Sequence, residues 1–249
     1  MTAEFTGQVV LVSGAASGIG YAQARKFLEQ GAYVFGIDLQ EQVALLLEEF
    51  PQNYDYLIVD VSQEASCQNA VRSCLQRFGQ VDILLNTAGI LDDYQTIEQT
   101  TTSLWQKVLA INVDSLFYLT QAVLPNMLSQ KKGTVINMAS IASLVAGGGG
   151  IAYTTAKHAI AGFTKQLALD YADQGIHVNA IAPGAIQTPM NAADFAGEGA
   201  MAKWVAEETP VKRWAQPEEV AELTLFLASS KASFMQGNIV PLDGGWLLK

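Results

Sequence analysis

Cysteine, histidine and basic side chains are all scarce in this chain of 249 residues. It contains two cysteines, two histidines and 14 lysines and arginines against 24 acidic residues, which gives a formal net charge of −10. Phosphate-rich partners need a basic face, so this charge argues against nucleic acid and against an anionic membrane surface. His158 and His177 cluster neither with each other nor with the cysteines. We therefore expect no transition-metal site.

The cysteines and the apolar runs also indicate the cellular compartment of the protein. Cys67 and Cys74 fall on one predicted helix, about 10.5 Å apart along its axis, which exceeds the ~7 Å limit for a disulfide. Two plain thiols fit a reducing compartment. No uninterrupted apolar run reaches the ~18–20 residues of a membrane span, and the N-terminal sequence lacks the pattern of a signal peptide. We expect a cytoplasmic protein.

Short apolar runs alternate with helical patterns along the whole chain. Strands are predicted at 9–14, 32–38, 55–61, 81–89, 134–140, 177–184 and 238–242. Near-continuous apolar strands that alternate with amphipathic helices are typical of a parallel sheet covered on both faces. Since no linker, repeat or low-complexity tract interrupts it, the sequence predicts one doubly wound α/β domain over residues 1–249. Its central parallel sheet should have about seven strands, with helices on both faces.

The segment 187–212 breaks this alternation with alanines, glycines and mixed charges. A long insertion at the carboxyl end of a strand usually lies over the ligand crevice of such a sheet, which predicts a substrate lid. A loosely ordered surface helix is the alternative. Trp204 and Trp214 could line a substrate pocket there or simply pack between helices.

Three glycines follow the first predicted strand and precede a helix. They lie in the run Ser13–Gly20, at Gly14, Gly18 and Gly20. Bare backbone at such a turn can approach a diphosphate, and the free N–H groups of the following helix can bind it. A tight strand-to-helix turn without a ligand would contain the same glycines. The flanking strand and helix favour a dinucleotide site.

Asp38 ends the second strand, eighteen residues after Gly20. A carboxylate there can accept hydrogen bonds from the adenosine ribose and would repel a 2′-phosphate. The segments 13–20 and 38–41 contain no lysine or arginine to offset this repulsion. The sequence therefore predicts that NAD(H) is preferred over NADP(H). A turn or helix-capping role for Asp38 is the alternative.

Tyr153 and Lys157 are four residues apart, so a helix would place them on one face. A nearby ammonium favours the phenolate and should lower the pKa of Tyr153, which would suit proton exchange with a carbonyl or alcohol oxygen. Tyr and Lys at this spacing are also common surface neighbours. The glycines from Gly147 to Gly150 precede the pair, and we expect them to remove bulk and add mobility where a substrate enters.

The motifs taken together resemble the short-chain dehydrogenase/reductase family across essentially the whole chain. They are Ser13–Gly20, Asp60-Val61, Asn86 to Gly89, Asn112, Ser140, Tyr153-x-x-x-Lys157, and Pro183-Gly184 through Thr188. The resemblance implies a single Rossmann domain. It also implies an oxidoreductase that transfers hydride between nicotinamide and a ketone or secondary alcohol.

The resemblance further implies a role for each matching residue. Tyr153 would be the general acid or base, Lys157 would lower its pKa and bind the nicotinamide ribose, and Ser140 would hold the substrate oxygen. Asn112 would hold a water that relays protons; helix or strand capping is the alternative for Ser140 and Asn112. The cofactor-binding set would be Gly14, Ser17, Gly18, Ile19, Gly20, Asp38, Leu39, Asp60, Val61, Asn86, Ala88, Gly89, Tyr153, Lys157, Pro183, Gly184, Ile186 and Thr188.

The sequence indicates the substrate less clearly than the type of reaction. The similar subgroup includes 3-oxoacyl-[acyl-carrier-protein] reductases and dehydrogenases of sugars, polyols and cyclic ketones. Lys131 and Lys132 match one basic patch of those reductases, but Gln174 stands where a second patch has arginine. The acidic charge favours a general NAD(H)-dependent ketone or secondary alcohol oxidoreductase, with a carrier-protein thioester as the alternative substrate.

Two further expectations concern other roles and assembly. A non-catalytic dinucleotide-binding sensor or scaffold would use the same fold, although Ser140, Tyr153 and Lys157 are all present. Members of the family are commonly homotetramers. The resemblance implies that helix 151–171 and the tail 243–249 are the candidate interfaces.

Overall fold

The strands lie side by side in one parallel sheet. The computed structural model describes residues 3–249. Its strands are Val9–Ser13 (β1), Tyr33–Asp38 (β2), Tyr54–Ile58 (β3), Ile83–Asn86 (β4), Gly133–Met138 (β5), Ile176–Pro183 (β6) and Ile239–Leu242 (β7). The order across the sheet is β3-β2-β1-β4-β5-β6-β7, and every pair is parallel. The predicted fold class is confirmed.

Helices cover both faces of this sheet. They are Gly18–Glu29 (α1), Leu45–Glu49 (α2), Glu64–Phe78 (α3), Thr102–Leu109 (α4), Ser115–Gln130 (α5), Ile151–Tyr171 (α6), Ala200–Glu208 (α7) and Pro217–Ala228 (α8). Helices α1 and α8 pack together on one face, and α3 packs with α5 on the other. The first helix begins at Gly18, earlier than its apolar periodicity predicted, because two of the glycines belong to its first turn.

Side-chain alternation in β1 builds the core on both faces. Val10 and Val12 pack with residues of α1 and α8, whereas Val9 and Leu11 pack with residues of α3 and α5. All of β1 is buried, as expected for the centre of a parallel sheet. The strand order reverses between β1 and β4, and ligands of doubly wound sheets bind outside the carboxyl ends at such a point.

The continuous helical stretch Thr102–Gln130 is long and apolar enough to cross a membrane by length and composition alone. The sequence has no uninterrupted apolar run of that length, so we did not expect any stretch to meet this criterion. Leu119, Val123 and Met127 are buried in the core between the sheet and α3. A core helix of a globular protein meets the same criterion, so this stretch is weak evidence for a membrane segment.

Cys67 and Cys74 are free and buried on α3, which confirms the prediction of two unpaired thiols. Burial raises the pKa of each thiol to about 12. Both thiols therefore remain protonated at neutral pH and behave as small apolar side chains.

Candidate active site

A cavity of about 780 Å³ lies at the carboxyl ends of the central strands. Its volume is in the usual range for a small-molecule site. Most residues predicted for the site line it, namely Gly14, Ser17, Gly18, Ile19, Gly20, Asp38, Leu39, Asp60, Val61, Ala88, Gly89, Ser140, Tyr153, Lys157, Pro183, Gly184, Ile186 and Thr188. Asn86 and Asn112 are the predicted residues that are absent from this lining.

The glycine turn after β1 is shaped to bring a bare backbone to the cavity. Gly14 has a φ of +74°, and a Cβ on it would lie 3.0 Å from the backbone of Ala88. A Cβ on Gly20 would collide with the carbonyl oxygen of Gly14. Ser17 does not cap α1 with its side chain, so the leading N–H groups of that helix are available beside the cavity. These features fit the diphosphate of a dinucleotide.

The hydroxyl of Ser13 ties the end of β1 to the end of β4. It donates to the carbonyl of Leu85 at 3.3 Å and accepts from the backbone N–H groups of Thr87 at 3.0 Å and Ala88 at 3.2 Å. The hydroxyl of Thr87 donates to Oε1 of Gln23 on α1 at 2.7 Å. The two strand ends and α1 are thus held in one hydrogen-bonded unit beneath the cavity.

Asp38 has the turn role considered for it and also lines the cavity. Its Oδ2 accepts from the backbone N–H of Ala16 at 3.1 Å, and its Oδ1 accepts from that of Gln40 at 3.0 Å. The carboxylate therefore fixes the glycine turn while it also lines the cavity. Because each carboxylate oxygen has more than one lone pair, Asp38 keeps acceptor capacity for a ligand.

Tyr153 and Lys157 lie on one buried face of α6, as their spacing predicted. The Nζ atom of Lys157 is 5.4 Å from the centre of the Tyr153 ring and donates to the carbonyl of Met138 at 2.7 Å. Ser140 follows β5, and its Oγ accepts from the backbone N–H of Ala142 at 3.1 Å. Ser140 therefore caps a short turn and lines the cavity at the same time.

Burial, rather than Lys157, dominates the pKa of Tyr153. Removal of the phenol from water raises its pKa to about 12, hydrogen bonding to Ser140 opposes this, and Tyr94 and Asp92 raise it further. The expected fall of the pKa of Tyr153 is therefore wrong, because burial gives a net rise. Burial also lowers the pKa of Lys157, to about 8. Tyr153 is consequently protonated at neutral pH and available as a proton donor.

Asn112 holds the loop after β4 rather than lining the cavity. It lies in a π-helical turn between α4 and α5. Its Oδ1 accepts from the N–H of Ile90 at 2.8 Å, and its Nδ2 donates to the carbonyl of Ile90 at 2.9 Å. A Cβ on Gly89 would lie 3.3 Å from Oδ1 of Asn112 and 3.7 Å from Nζ of Lys157. Asn112 is thus close to the Tyr153 and Lys157 pair, and its water-holding role stays a prediction.

Asn86 is absent from the cavity lining, and its place in the cofactor-binding set stays a prediction. Its Nδ2 donates to Oδ1 of Asn137 at 2.9 Å and to the hydroxyl of Thr120 at 3.2 Å. Asn137 in turn donates to the hydroxyl of Thr164 at 2.9 Å. The four side chains form a buried polar network between β4, β5, α5 and α6. Thr87, the next residue along the chain, lines the cavity instead.

Asp92 is a site residue that the sequence reasoning missed. Its side chain is fully buried, and its carboxylate accepts from the backbone N–H groups of Gly150 at 2.8 Å and Tyr153 at 2.9 Å. Gly150 begins α6 without a side-chain cap of its own, so Asp92 caps the helix from another loop. An Asp-Asp pair in a loop resembles an ordinary surface pair. The one local signal was a helix start that lacked a capping residue.

The four glycines pack more tightly than expected. A Cβ on Gly149 would collide with the ring of Tyr153, and one on Gly150 would lie 2.6 Å from Oδ2 of Asp92. Gly147 and Gly148 line the cavity. Two members of the run thus allow the loop to approach the start of α6 closely, which fits the expected removal of bulk, and the expected mobility stays a prediction.

The segment 187–212 and its neighbours supply the outer wall of the cavity. Trp204 of α7 and Trp214 both line it, and so do two residues that sequence reasoning did not select for the pocket, Tyr94 and Trp246. The indole N–H of Trp214 donates to the carbonyl of Ala202 at 2.8 Å. The tryptophans thus line a pocket, which was the first of the two alternatives considered.

Comparisons with known proteins match almost the whole chain. A family model described as enoyl-(acyl carrier protein) reductase matches residues 14–247. The chain is 37% identical to 3β-hydroxysteroid dehydrogenase 2 of Eggerthella lenta over 96% of this chain and 95% of that protein. It is 34% identical to a 3-oxoacyl-[acyl-carrier-protein] reductase of Thermotoga maritima over 97% and 98% of the two chains.

Solved structures extend this comparison. A gluconate 5-dehydrogenase from Burkholderia cenocepacia, in complex with NADP and tartrate, superposes with a TM-score of 0.92 at 30% identity, over 100% of this chain and 98% of that one. The non-catalytic alternative receives no support from these relatives. The chain belongs to the short-chain dehydrogenase/reductase family and is an oxidoreductase that acts on alcohols or ketones with a nicotinamide cofactor.

Proposed function

We propose that this oxidoreductase transfers hydride between NAD(H) and a ketone or secondary alcohol, with Tyr153 as the general acid and base. One observation carries the proposal. The hydroxyls of Ser140 and Tyr153 and the ammonium of Lys157 line the same cavity as the glycine turn that begins at Gly14. A dinucleotide held by that turn and by Asp38 would share the cavity with these three polar groups.

The chain's own contribution is to hold the substrate oxygen and to move one proton. A bound dinucleotide supplies or accepts the hydride, which makes or breaks the C–H bond at the carbonyl carbon. In reduction, Tyr153 donates its proton to the oxygen as the C=O double bond becomes a C–OH single bond. In oxidation, the phenolate form of Tyr153 accepts the hydroxyl proton, and a nearby ammonium such as that of Lys157 would stabilise this form. Ser140 donates a hydrogen bond to the same oxygen.

The Tyr153→Phe variant tests this assignment. Loss of the phenolic hydroxyl removes the proton donor but leaves the ring, so turnover should fall by about a thousandfold or more. Binding of NADH, measured by its fluorescence, should change less than about threefold. Lys165→Met, an exposed change on the same helix, is the matched control. Retained turnover in Tyr153→Phe would refute the role of Tyr153.

The preference for NAD(H) is part of the proposal and rests on this chain's own charges. The NADP of the Burkholderia neighbour belongs to that protein and gives the preference no support. Asp38 lines the cavity, and Lys157 is the one cation among the described lining residues. A like-charge pair at ~4 Å costs about 1 kcal/mol in water and about 4 at an effective dielectric near 20. The 2′-phosphate of NADP(H) should therefore lower kcat/KM by about tenfold or more. Equal kcat/KM with NADH and NADPH would contradict this.

Reduction of a carrier-protein thioester is the second candidate, which the Thermotoga relative favours. Its docking patch would include Lys131 and Lys132. Lys132 lies 3.9 Å from the carboxylate of Asp82, so part of its charge is already balanced. The acetoacetyl thioesters of acyl carrier protein and of coenzyme A separate the two functions. A strong preference for the carrier-protein thioester that Lys131→Glu abolishes would favour this candidate.

Self-association into a homotetramer through α6 and the tail 243–249 is also proposed. Exposed apolar side chains support it, since Leu169 on α6 is 76% exposed and Leu248 in the tail is 87% exposed. Such side chains are commonly covered in an assembly. Sedimentation at micromolar concentration should give four times the chain mass of 26.7 kDa. A monomeric species would contradict the proposal.

A further inference from the structure

The outer wall of the cavity is apolar and offers an anion no cation. Lys157 is the one cation among the described lining residues, and its ammonium already donates to Met138. The carboxyl groups of Asp38, Asp60 and Asp194 also line the cavity. A carboxylate, sulfonate or phosphate on the substrate would lose hydration here without gaining a counterion.

Two cationic side chains near the cavity are paired with acidic partners. Both terminal nitrogens of Arg213 donate to the carboxylate of Glu219 at 2.7 Å. Lys249 donates to the carboxylate of Glu208 at 2.7 Å and lies 4.5 Å from the centre of the Trp246 ring. Neither Arg213 nor Lys249 lines the cavity. The segment over the site therefore brings apolar side chains and the carboxyl group of Asp194 to the cavity, but no cation.

Large apolar side chains of this segment remain exposed beside the cavity. Met190 is 46%, Met201 is 53% and Trp204 is 52% exposed, and all three line the cavity. Trp214 adds an aromatic face whose N–H is already bonded to Ala202. A contiguous apolar wall of this kind is typical of a surface that a ligand covers.

Given the proposed function, we infer that the substrate is an uncharged ketone or secondary alcohol on a bulky apolar skeleton, not a carboxylate, sulfonate, phosphate ester or polyol. The carbonyl or hydroxyl oxygen lies at Ser140 and Tyr153, and the skeleton extends along Trp204, Met201 and Trp214. Apolar contact with these side chains supplies the affinity, and a hydroxyl-rich molecule would gain little from that contact.

Matched substrates test the charge of the skeleton. The probes are methyl 4-oxocyclohexanecarboxylate and the free 4-oxocyclohexanecarboxylate, which share one ring and differ in charge. The ester should have a kcat/KM at least about tenfold higher. trans-1-Decalone should exceed cyclohexanone by about tenfold, because it covers more of the apolar wall. A carboxylate that equals its ester, or faster turnover of 5-keto-D-gluconate than of decalone, would overturn the inference.

The same set of substrates distinguishes failure of this inference from failure of the proposed function. Efficient reduction of the keto acids with NADH would leave the proposed hydride transfer intact and remove only the apolar-substrate inference. Absence of turnover for every ketone, with the corresponding alcohols also unreactive, would remove the proposed function itself.

Two variants test the wall directly. Trp204→Ala should lower kcat/KM for decalone about tenfold and kcat/KM for cyclohexanone about twofold. The control is Phe234→Ala, a fully exposed change outside the cavity, which should alter neither value. Met201→Lys should raise the ratio of kcat/KM for the oxocyclohexane carboxylate to that for its ester about tenfold. Met201→Leu is the uncharged control. An unchanged ratio of carboxylate to ester in Met201→Lys would count against the inference.

Discussion

The carboxylate of Asp92 accepts a hydrogen bond from the backbone N–H of Tyr153 at 2.9 Å, although 61 positions separate the two residues. The other carboxylate oxygen accepts from Gly150 at 2.8 Å. The loop that bears Asp92 also brings Tyr94 to the cavity wall. The first turn of α6, which carries the phenol, is therefore fastened to the loop after β4. A shift of that loop would move the proton donor.

Removal of Asp92 should impair catalysis more than cofactor binding. Asp92→Ala leaves the backbone N–H groups of Tyr94, Gly150 and Tyr153 without their acceptor, and loss of the buried bond to Tyr153 alone costs about 1–3 kcal/mol. Thermal unfolding should move to lower temperature, and kcat should fall about tenfold or more while the Kd for NADH changes less than about twofold. Wild-type kcat in folded Asp92→Ala would show that Asp92 does not position Tyr153.

The neutral variant Asp92→Asn separates charge from position. It keeps one acceptor but removes a negative charge that raises the pKa of Tyr153. The pH profile of alcohol oxidation should therefore shift to lower pH, with a smaller loss of kcat than in Asp92→Ala. Asp93→Asn is the control, because Asp93 is exposed and its φ of 53° suits asparagine. Identical pH profiles for Asp92→Asn and wild type would contradict this prediction.

Two glycines of α6 should respond oppositely to alanine. A Cβ at Gly150 would lie 2.6 Å from Asp92 and from the backbone of Gln95, so Gly150→Ala should destabilise the protein by about 1–3 kcal/mol. A Cβ at Gly162 would meet nothing within 4 Å, so Gly162→Ala should stabilise it by about 0.4–1 kcal/mol. Urea titration of both variants measures these changes. Equal effects would contradict the close approach at Gly150.

Burial of Lys157 should make stability depend on pH. Its folded-state pKa of about 8 lies below the ordinary value of 10.5. The unfolded chain then binds more protons, so the group's contribution is fully present above pH 10.5 and is lost as pH falls through about 8. The free energy of unfolding should thus rise by about 3 kcal/mol from this group between pH 7 and 10.5.

Lys157→Met should remove that rise. The variant also leaves the Met138 carbonyl unpaired, so the difference between the two pH values, rather than stability at either one, is the informative quantity. Chemical unfolding at pH 7 and pH 10.5 measures it, with Lys165→Met as the exposed control on the same helix. An unchanged pH dependence in Lys157→Met would contradict the lowered pKa of Lys157.

Neutralisation of Asp38 should weaken the proposed discrimination between cofactors. Asp38→Asn should raise kcat/KM for NADPH about tenfold, because the repulsion of the 2′-phosphate is lost. The same variant should lower kcat/KM for NADH, since one of the hydrogen bonds to Ala16 and Gln40 is also lost. Glu41→Gln, an exposed change outside the cavity, is the control. An unchanged ratio of kcat/KM for NADPH to that for NADH would show that Asp38 does not cause the discrimination between the cofactors.

Features with a short-range period could be predicted from the sequence. The apolar residues of β1 predicted a central strand because both faces of such a strand are buried. The spacing of Tyr153 and Lys157 predicted one helical face because four residues make about one helical turn. The glycine turn and Asp38 could be predicted from the sequence because they join consecutive elements of the chain.

The sequence by itself thus determined the doubly wound sheet, the glycine turn and the Tyr153–Lys157 face. Only the tertiary structure decided that Asp92 caps α6, that Asn86 donates to Asn137 and that Trp246 reaches the cavity. It also reversed the expected pKa shift of Tyr153, because burial is a sum over contacts from the whole fold. Local periodicity determines which way a side chain faces along its own element, whereas hydration and distant partners depend on which elements pack together.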